Sequence, residues 1–355
     1  MEILCALIHR HVLLLNGVRT VLKISSRSAV DLVHKIHGKN PNDSEPPVIV
    51  IHGLLGSKKN WESMCKRIAL KANKSVIAVD VRNHGDSPSH SSHTYPDLAS
   101  DISQLMSKLF LKKANIIGHS MGGRTAMVHA LTEPEKVVSL VIVDISPIYR
   151  TGHLHEFISK LLDVMKTIDF NEVNNSNEAR ALAKDKIMAS KLIENEESIN
   201  FILMNIGKKS NNSFGWMCNI NVLKEYFPVI ASFPSEMTGK TYSGPALFVR
   251  GGNSTYLPPE DIVRIRDFFP KAEMIQVPNV GHNVHAEDAA TFLDIVHIQI
   301  VKTGRAIEDP FDTNEETCDV SLLGQFTCTQ DEEEEQGEEE TEVLEYYESH
   351  GYISR

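Results

Sequence analysis

The sequence predicts an α/β domain built on a mostly parallel sheet and interrupted by a helical insertion. Three observations carry this. Short continuous apolar runs such as Val48–Ile51, Ser75–Val79 and Val137–Val143 read as strands buried on both faces. Stretches of helical period alternate with them, and such alternation joins parallel strands through right-handed crossovers. Between 148 and 240 the strand pattern stops and helical spacing alone remains.

The elements follow in order. A weak signal over 20–38 suggests a first strand or hairpin, and Asn40 to Pro47 is a turn cluster. The run Val48–Ile51 ends in His52-Gly53-Leu54-Leu55-Gly56, and a helix is expected over 61–72. The strand over 75–79 opens into the turn-rich stretch Asp80 to Pro88. A helix over about 96–111 places Leu98, Ile102, Leu105, Met106 and Leu109 on one face. A strand over 113–117, the run Gly118-His119-Ser120-Met121-Gly122-Gly123 and a helix over 124–131 come next. The strand Val137–Val143 ends in Asp144, Ile145, Ser146 and Pro147.

In the insertion, Leu154, Phe157, Ile158, Leu161, Leu162, Met165 and Ile168 repeat at helical spacing, and segments near 178–193 and 196–206 also read as helices. The sheet resumes at Pro245–Val249, followed by a helix over 259–269, a strand over 273–277 and a closing helix over 286–302. The expected organisation is an N-terminal extension over 1–40, a core from 41–147 and 241–304, and a helical cap over 148–240. Residues 305–355 form an acidic tail with too little apolar surface to offset chain entropy, so disorder is expected there.

The charge follows this division. The formal net charge is −11, but residues 305–355 hold 17 of the 47 acidic and two of the 36 basic side chains, leaving residues 1–304 at +4. Basic residues in the body are spread out, which speaks against a nucleic-acid footprint. The tail suits a basic partner. Five scattered cysteines without a C-x-x-C pair argue against a disulfide framework or a zinc site. Residues 1–30 carry Arg10, Arg19, Lys23 and Arg27 against Glu2 alone, which suits a mitochondrial presequence and equally a ragged extension of a cytoplasmic protein. The apolar runs there are split by His9, Arg10 and His11, and neither approaches the roughly 20 residues of a membrane span.

The chemistry centres on Ser120. A serine that attacks a carbonyl must stand clear of its own backbone, and strand, G-x-S-x-G, helix is the context that achieves it. The following helix points its first amides at the developing oxyanion. His282, in a turn after the last strand and far downstream, is the expected base; His285 is a weaker alternative. Oxyanion donors are expected at the amides of Met121 and Leu54. The acid is open. The turn after the strand ending at Val249 is the usual place, but Ser254 stands there. Asp144 is favoured, Glu260 and Asp261 are alternatives, and so is the absence of any direct carboxylate. Asp144 could also merely cap a turn.

These motifs, from about 45 to 302, resemble the α/β-hydrolase superfamily. The stretches His52–Ser57, Asp80–Pro88, Gly118–Gly123 and Val143–Pro147 are together similar to one branch of it, which holds mitochondrial diacylglycerol lipases, bacterial esterases and yeast acyl-transferring relatives. The resemblance implies the α/β-hydrolase fold and an esterase or lipase-like activity on a small-molecule or lipid ester, without metal or cofactor. In bacterial members the acid is the aspartate that matches Asp144. The animal branch has another proposed acid in the cap, in an Asn-Leu-Asp stretch. Here Asn219, Ile220 and Asn221 stand there, with no carboxylate. The expected reaction is ester hydrolysis through an acyl-serine. Transfer of the acyl group to an alcohol and a non-catalytic binding role are the rival readings. Met165, Met188, Phe201, Met204, Phe214 and Trp216 are candidates for an acyl pocket.

Overall fold

The computed structural model describes residues 29–41, 46–148, 153–193, 195–209 and 211–308. The presequence reading and the tail beyond Glu308 lie outside the described residues. The strands are β1 (His34–His37), β2 (Val48–Ile51), β3 (Val76–Val79), β4 (Ala114–His119) and β5 (Val137–Val143). The helices among and after them are α1 (Glu62–Lys71), α2 (Tyr95–Lys108) and α3 (Met121–Thr132). The insertion supplies α4 (His153–Lys166), α5 (Ser176–Ala189), α6 (Glu196–Leu203), β6 (Ile206–Lys208), β7 (Phe214–Trp216), α7 (Ile220–Glu225) and α8 (Phe227–Ile230). The core then resumes with β8 (Ala246–Gly251), α9 (Ile262–Ile265), β9 (Ala272–Val277), α10 (Val284–Glu287) and α11 (Ala289–Glu308).

Seven strands form one sheet in the order β1-β3-β2-β4-β5-β8-β9. Only β1 runs antiparallel, pairing His34 with Val79 through His37 with Val76. It falls in the stretch counted with the N-terminal extension, so that stretch supplies the sheet's edge. Strand residues alternate between two packed faces. Ile49, Ile51, Ile77, Ile116 and Phe248 face α2 and α3, on the side that also carries the cap. Val48, Val50, Val76, Ile117 and Val249 face Trp61 and Ile68 of the α1 side and Phe292 and Val296 of α11. Helix α2 begins at Thr94, whose side chain accepts from the Asp97 amide while Asp97 bonds back, a reciprocal cap reinforced by Pro96.

Four differences from the sequence reading have local causes. The insertion holds the small β6–β7 hairpin, whose strands of three residues are too short to show a period of two. The helix expected over 259–269 shrinks to a 3-10 turn at Pro259–Asp261 and the single turn α9. Pro258 and Pro259 start it, and the chain then turns so that Arg266 can bond the Ala272 carbonyl at 3.2 Å. The closing helix is broken at Asp288, whose carboxylate accepts from the Thr291 amide at 3.1 Å and so starts α11 afresh. Helix α11 then continues to Glu308, past the expected boundary at 304. Among the described residues, no helix is long and apolar enough to cross a membrane.

Candidate active site

The parallel register decides what meets at the end of the sheet. His119 of β4 pairs with Val143 of β5, and Val143 pairs with Val249 of β8. The residues that leave these strands, Ser120, Asp144 and the Gly251–Ser254 turn, therefore emerge side by side at the C-terminal edge. In open parallel sheets that edge is where ligands bind.

Ser120 sits between β4 and α3 at φ 53° and ψ −118°. This backbone is costly for a residue with a Cβ, by about 1–3 kcal/mol, and persists only where the surroundings impose it. Two glycines allow the crowding. A Cβ on Gly118 would lie 2.3 Å from the Gly122 carbonyl oxygen, and one on Gly122 would lie 2.3 Å from the Ile51 oxygen. Helix α3 thus butts directly on the end of β2 and the loop after it. The Ser120 amide donates to the Val143 carbonyl at 3.0 Å. Its hydroxyl has no hydrogen-bond partner among the described residues.

Asp144 is fully buried, at φ 50°. One carboxylate oxygen accepts from the Gly251 amide at 3.0 Å. The other accepts from the Ser254 hydroxyl and from His282 Nδ1, the latter at 2.7 Å. The structure therefore brings His282 and Asp144 together. Ser254, which fills the usual acid position, donates to the carboxylate. With Nδ1 of His282 engaged by Asp144, neither Glu260 nor Asp261 is its partner; both lie in the 3-10 turn before α9.

His282 is held by groups that the sequence did not single out. His119 Nε2–H donates to the His282 carbonyl at 2.9 Å. Glu287 accepts from the amides on both sides, Gly281 at 2.5 Å and Asn283 at 3.1 Å. Tyr256 stacks on the imidazole with centroids 3.8 Å apart and planes at 17°. Burial and the neighbouring Asp144 charge push the Tyr256 hydroxyl up, so it stays neutral. Burial, with the adjacent His282 ring, holds His119 well below the usual histidine range. A histidine directly before a G-x-S-x-G serine was the available signal for His119. Ser254 was marked only by standing at the usual acid position, and Tyr256 offered no signal, because their roles depend on where β8 lies. His285 is buried, stacks on Trp61 at 4.0 Å, and is held at about 3 by burial and then by the His282 ring.

The loop 52–56 faces the start of α3. Val81 N donates to His52 Nε2 at 3.1 Å, so the neutral ring carries its proton on Nδ1 and donates to the Gly53 carbonyl at 2.7 Å. That carbonyl shares a peptide plane with the Leu54 amide, so the contact aims the Leu54 N–H in the opposite direction. Neither the Leu54 nor the Met121 amide donates to an acceptor among the described residues.

In the cap, Asn219 starts α7, and its backbone amide and side chain bond Asn83 at 2.9 and 3.3 Å. The stretch at Asn219–Asn221 therefore ties cap to core and brings no acid. Of the suggested pocket residues, Met165 and Trp216 are buried in the cap's own packing, joined by a bond from the indole to the Met165 carbonyl at 2.9 Å. Met188 and Met204 are exposed.

Comparison with known proteins agrees with this architecture. The sequence profile of the α/β hydrolase fold matches residues 46–289. The mouse protein named sn-1-specific diacylglycerol lipase ABHD11 is 38% identical over 251 residues, spanning 71% of this chain and 80% of its own. Ethanol acetyltransferase 1 of Eremothecium cymbalariae is 29% identical over 302 residues, spanning 79% and 83%. A solved structure titled marine microorganism esterase superposes with a TM-score of 0.67 at 32% identity, covering 76% of this chain and 98% of that one. With the profile matched across most of the chain and the sheet, the serine turn and the loop 52–56 in their places, the chain belongs to the α/β-hydrolase-fold family.

Proposed function

We propose that this protein is a serine carboxylic-ester hydrolase acting through an acyl-serine intermediate at Ser120. The observation that carries the reading is the 2.7 Å bond from His282 Nδ1 to the buried Asp144 carboxylate, beside the strained serine turn. A partner on Nδ1 leaves Nε2 as the base. The Ser120 oxygen attacks the ester carbonyl as its proton passes to His282 Nε2, and Asp144 stabilises the imidazolium. The tetrahedral oxyanion is bound by the Leu54 and Met121 amides, with the α3 N-terminus behind them. Collapse breaks the ester C–O bond, and His282 returns the proton to the departing alcohol. Water, deprotonated by His282, then attacks the acyl-serine; the acyl C–O bond to Ser120 breaks, His282 returns the proton to the serine oxygen, and the acid is released. This chemistry needs no cofactor or metal.

The name of the mouse relative makes the sn-1 acyl ester of a diacylglycerol the first lipid substrate to test. A second reading, transfer of the acyl group to an alcohol, is favoured by the relative named ethanol acetyltransferase 1. The same acyl-enzyme serves both, and the ratio of ethyl ester to free acid formed in aqueous ethanol separates them. The basic, acid-poor composition of residues 1–30 supports mitochondrial import, which a fluorescent fusion of that stretch tests.

The deciding experiment is labelling with a fluorophosphonate probe together with turnover of a p-nitrophenyl ester. Wild-type protein labels and turns over; Ser120→Ala does neither while keeping its melting behaviour. His282→Ala falls nearly as far in turnover. Substantial turnover in Ser120→Ala would overturn the nucleophile, and a wild-type chain that never labels would favour a binding role.

A further inference from the structure

The loop that carries the Leu54 amide is held from two directions. On the core side, His84 Nε2 accepts from the Leu55 amide at 3.2 Å. On the cap side, Asn205 Nδ2 donates to the Leu55 carbonyl. Leu55 has φ 58°, a left-handed conformation that a leucine keeps only where its surroundings impose it. Both peptide groups around its Cα are thus pinned, one by the core and one by the cap. The peptide that bears the Leu54 N–H lies directly upstream.

Asn205 is built for this contact. It lies between α6 and β6 and is 4% exposed. Its own amide donates to the Ile202 carbonyl at 3.0 Å, and its carbonyl accepts from the Met217 amide at 2.7 Å. Its side chain also reaches the Ile202 carbonyl at 3.2 Å, which sets the direction of the Nδ2 group. Two neighbouring contacts point the same way. Met204 meets the Asn60 side chain, which in turn accepts from the Ser57 amide at 2.7 Å. Asn219 bonds Asn83, the residue before His84. The cap therefore touches the oxyanion loop directly and through the neighbour that supports it.

We propose that Asn205 is a positioning residue, through which the cap holds the oxyanion loop in its catalytic shape. The proposal rests on the reading of Leu54 as an oxyanion donor. Loss of the Asn205 donor would leave the Leu55 carbonyl buried without its partner and free Leu55 to relax from its left-handed backbone, turning the Leu54 amide away from the developing charge. The cap is then a part of the catalytic apparatus.

The test uses the full chain with Asn205→Ala and Asn205→Asp. The aspartate keeps the shape and the backbone bonds but sets an acceptor, and when ionised a buried charge, against the Leu55 and Ile202 carbonyls, so it is the harsher variant; the alanine, which removes the donor without adding charge, serves where the aspartate does not fold. The donor is displaced, not deleted, so kcat is expected to fall about 10-fold, below the roughly 100- to 1000-fold of losing a donor outright. KM should stay within about threefold, because the lost interaction strengthens only in the transition state. Inhibition by a trifluoromethyl ketone, whose serine adduct carries an oxyanion, should weaken by the same factor as kcat/KM. Amide hydrogen exchange over residues 52–57 should quicken. Unchanged kcat with only a lower melting midpoint would reduce Asn205 to packing, and an effect on KM alone would make it a substrate contact; either overturns the proposal. Unchanged exchange over 52–57 overturns the hold itself, whatever happens to activity. A wild-type chain with no turnover and no labelling at Ser120 removes the hydrolase reading, and the catalytic role of Asn205 falls with it.

Discussion

Replacing Asp144 with asparagine isolates the charge and the tautomer, because almost everything else is preserved. The side chains have nearly the same size, and asparagine tolerates the left-handed φ of 50° at least as well as aspartate. The Gly251 amide donates to one carboxylate oxygen at 3.0 Å, so the asparagine oxygen must occupy that side; the flipped amide would set donor against donor. The NH2 group then faces Ser254 and His282 Nδ1. Ser254 can rotate its hydroxyl and accept. His282 can accept only by moving its proton to Nε2, which removes the base from Ser120. The comparable substitution in a serine protease lowers turnover about 10,000-fold through the wrong tautomer. Here at least about 100-fold is expected, or roughly 2.7 kcal/mol of transition-state stabilisation. The charge-assisted bonds from Gly251 and Ser254 become ordinary ones, for about 2 kcal/mol in all. That corresponds to a melting midpoint lower by roughly 3–4 °C, with the protein still folded at 25 °C. The assay is p-nitrophenyl ester turnover beside a thermal melt on the same preparation. Turnover within about threefold of wild type, with the midpoint lowered or not, would refute the assignment and return Asp144 to the role of a turn residue.

Ser120→Gly should melt higher than Ser120→Ala, because glycine adopts φ 53° without the cost a Cβ incurs. Equal midpoints in differential scanning calorimetry would show that the turn stores no strain. Acid should destabilise the fold through its buried histidines. His93 and His285 are held at about 3 by burial, whereas in the unfolded chain each titrates near 6.5. Below that value the unfolded state binds more protons, so stability present at neutral pH is lost as pH falls from about 6.5 towards 3. The slope is up to about 1.4 kcal/mol per pH unit for each ring. Melting midpoints between pH 7 and 5 should decline, and His285→Phe, which keeps an aromatic ring over Trp61, should decline less steeply. Parallel profiles for the two proteins would refute the contribution of His285.

Much of this molecule is written in short windows of its sequence. The run Val137–Val143 is a strand because seven consecutive residues can be buried on both faces, and the helix face at Leu98, Ile102, Leu105 and Met106 declares itself by spacing. The serine turn is equally local, since Gly118 and Gly122 are required by atoms within or next to it. Three-residue strands in the cap and the interrupted helices near 262 and 288 escape such a reading, because a few turns of chain hold too little pattern. Asp144, the proposed acid, is of another kind. Within ten residues of Asp144 the only pointer is the similarity of Val143–Pro147 to one hydrolase branch; the residue types themselves read equally well as a turn. Its meaning comes from β5 lying between β4 and β8, which sets it beside Ser120 and under His282, 138 positions away. The same holds for Ser254, which took the expected acid's place in the chain but donates to Asp144, and for Asn205, whose partner is 150 residues distant. Local periodicity records which residues are buried and in what backbone. Which side chains face one another is decided only when the sheet order and register close, because those contacts are made between segments that share no local signal.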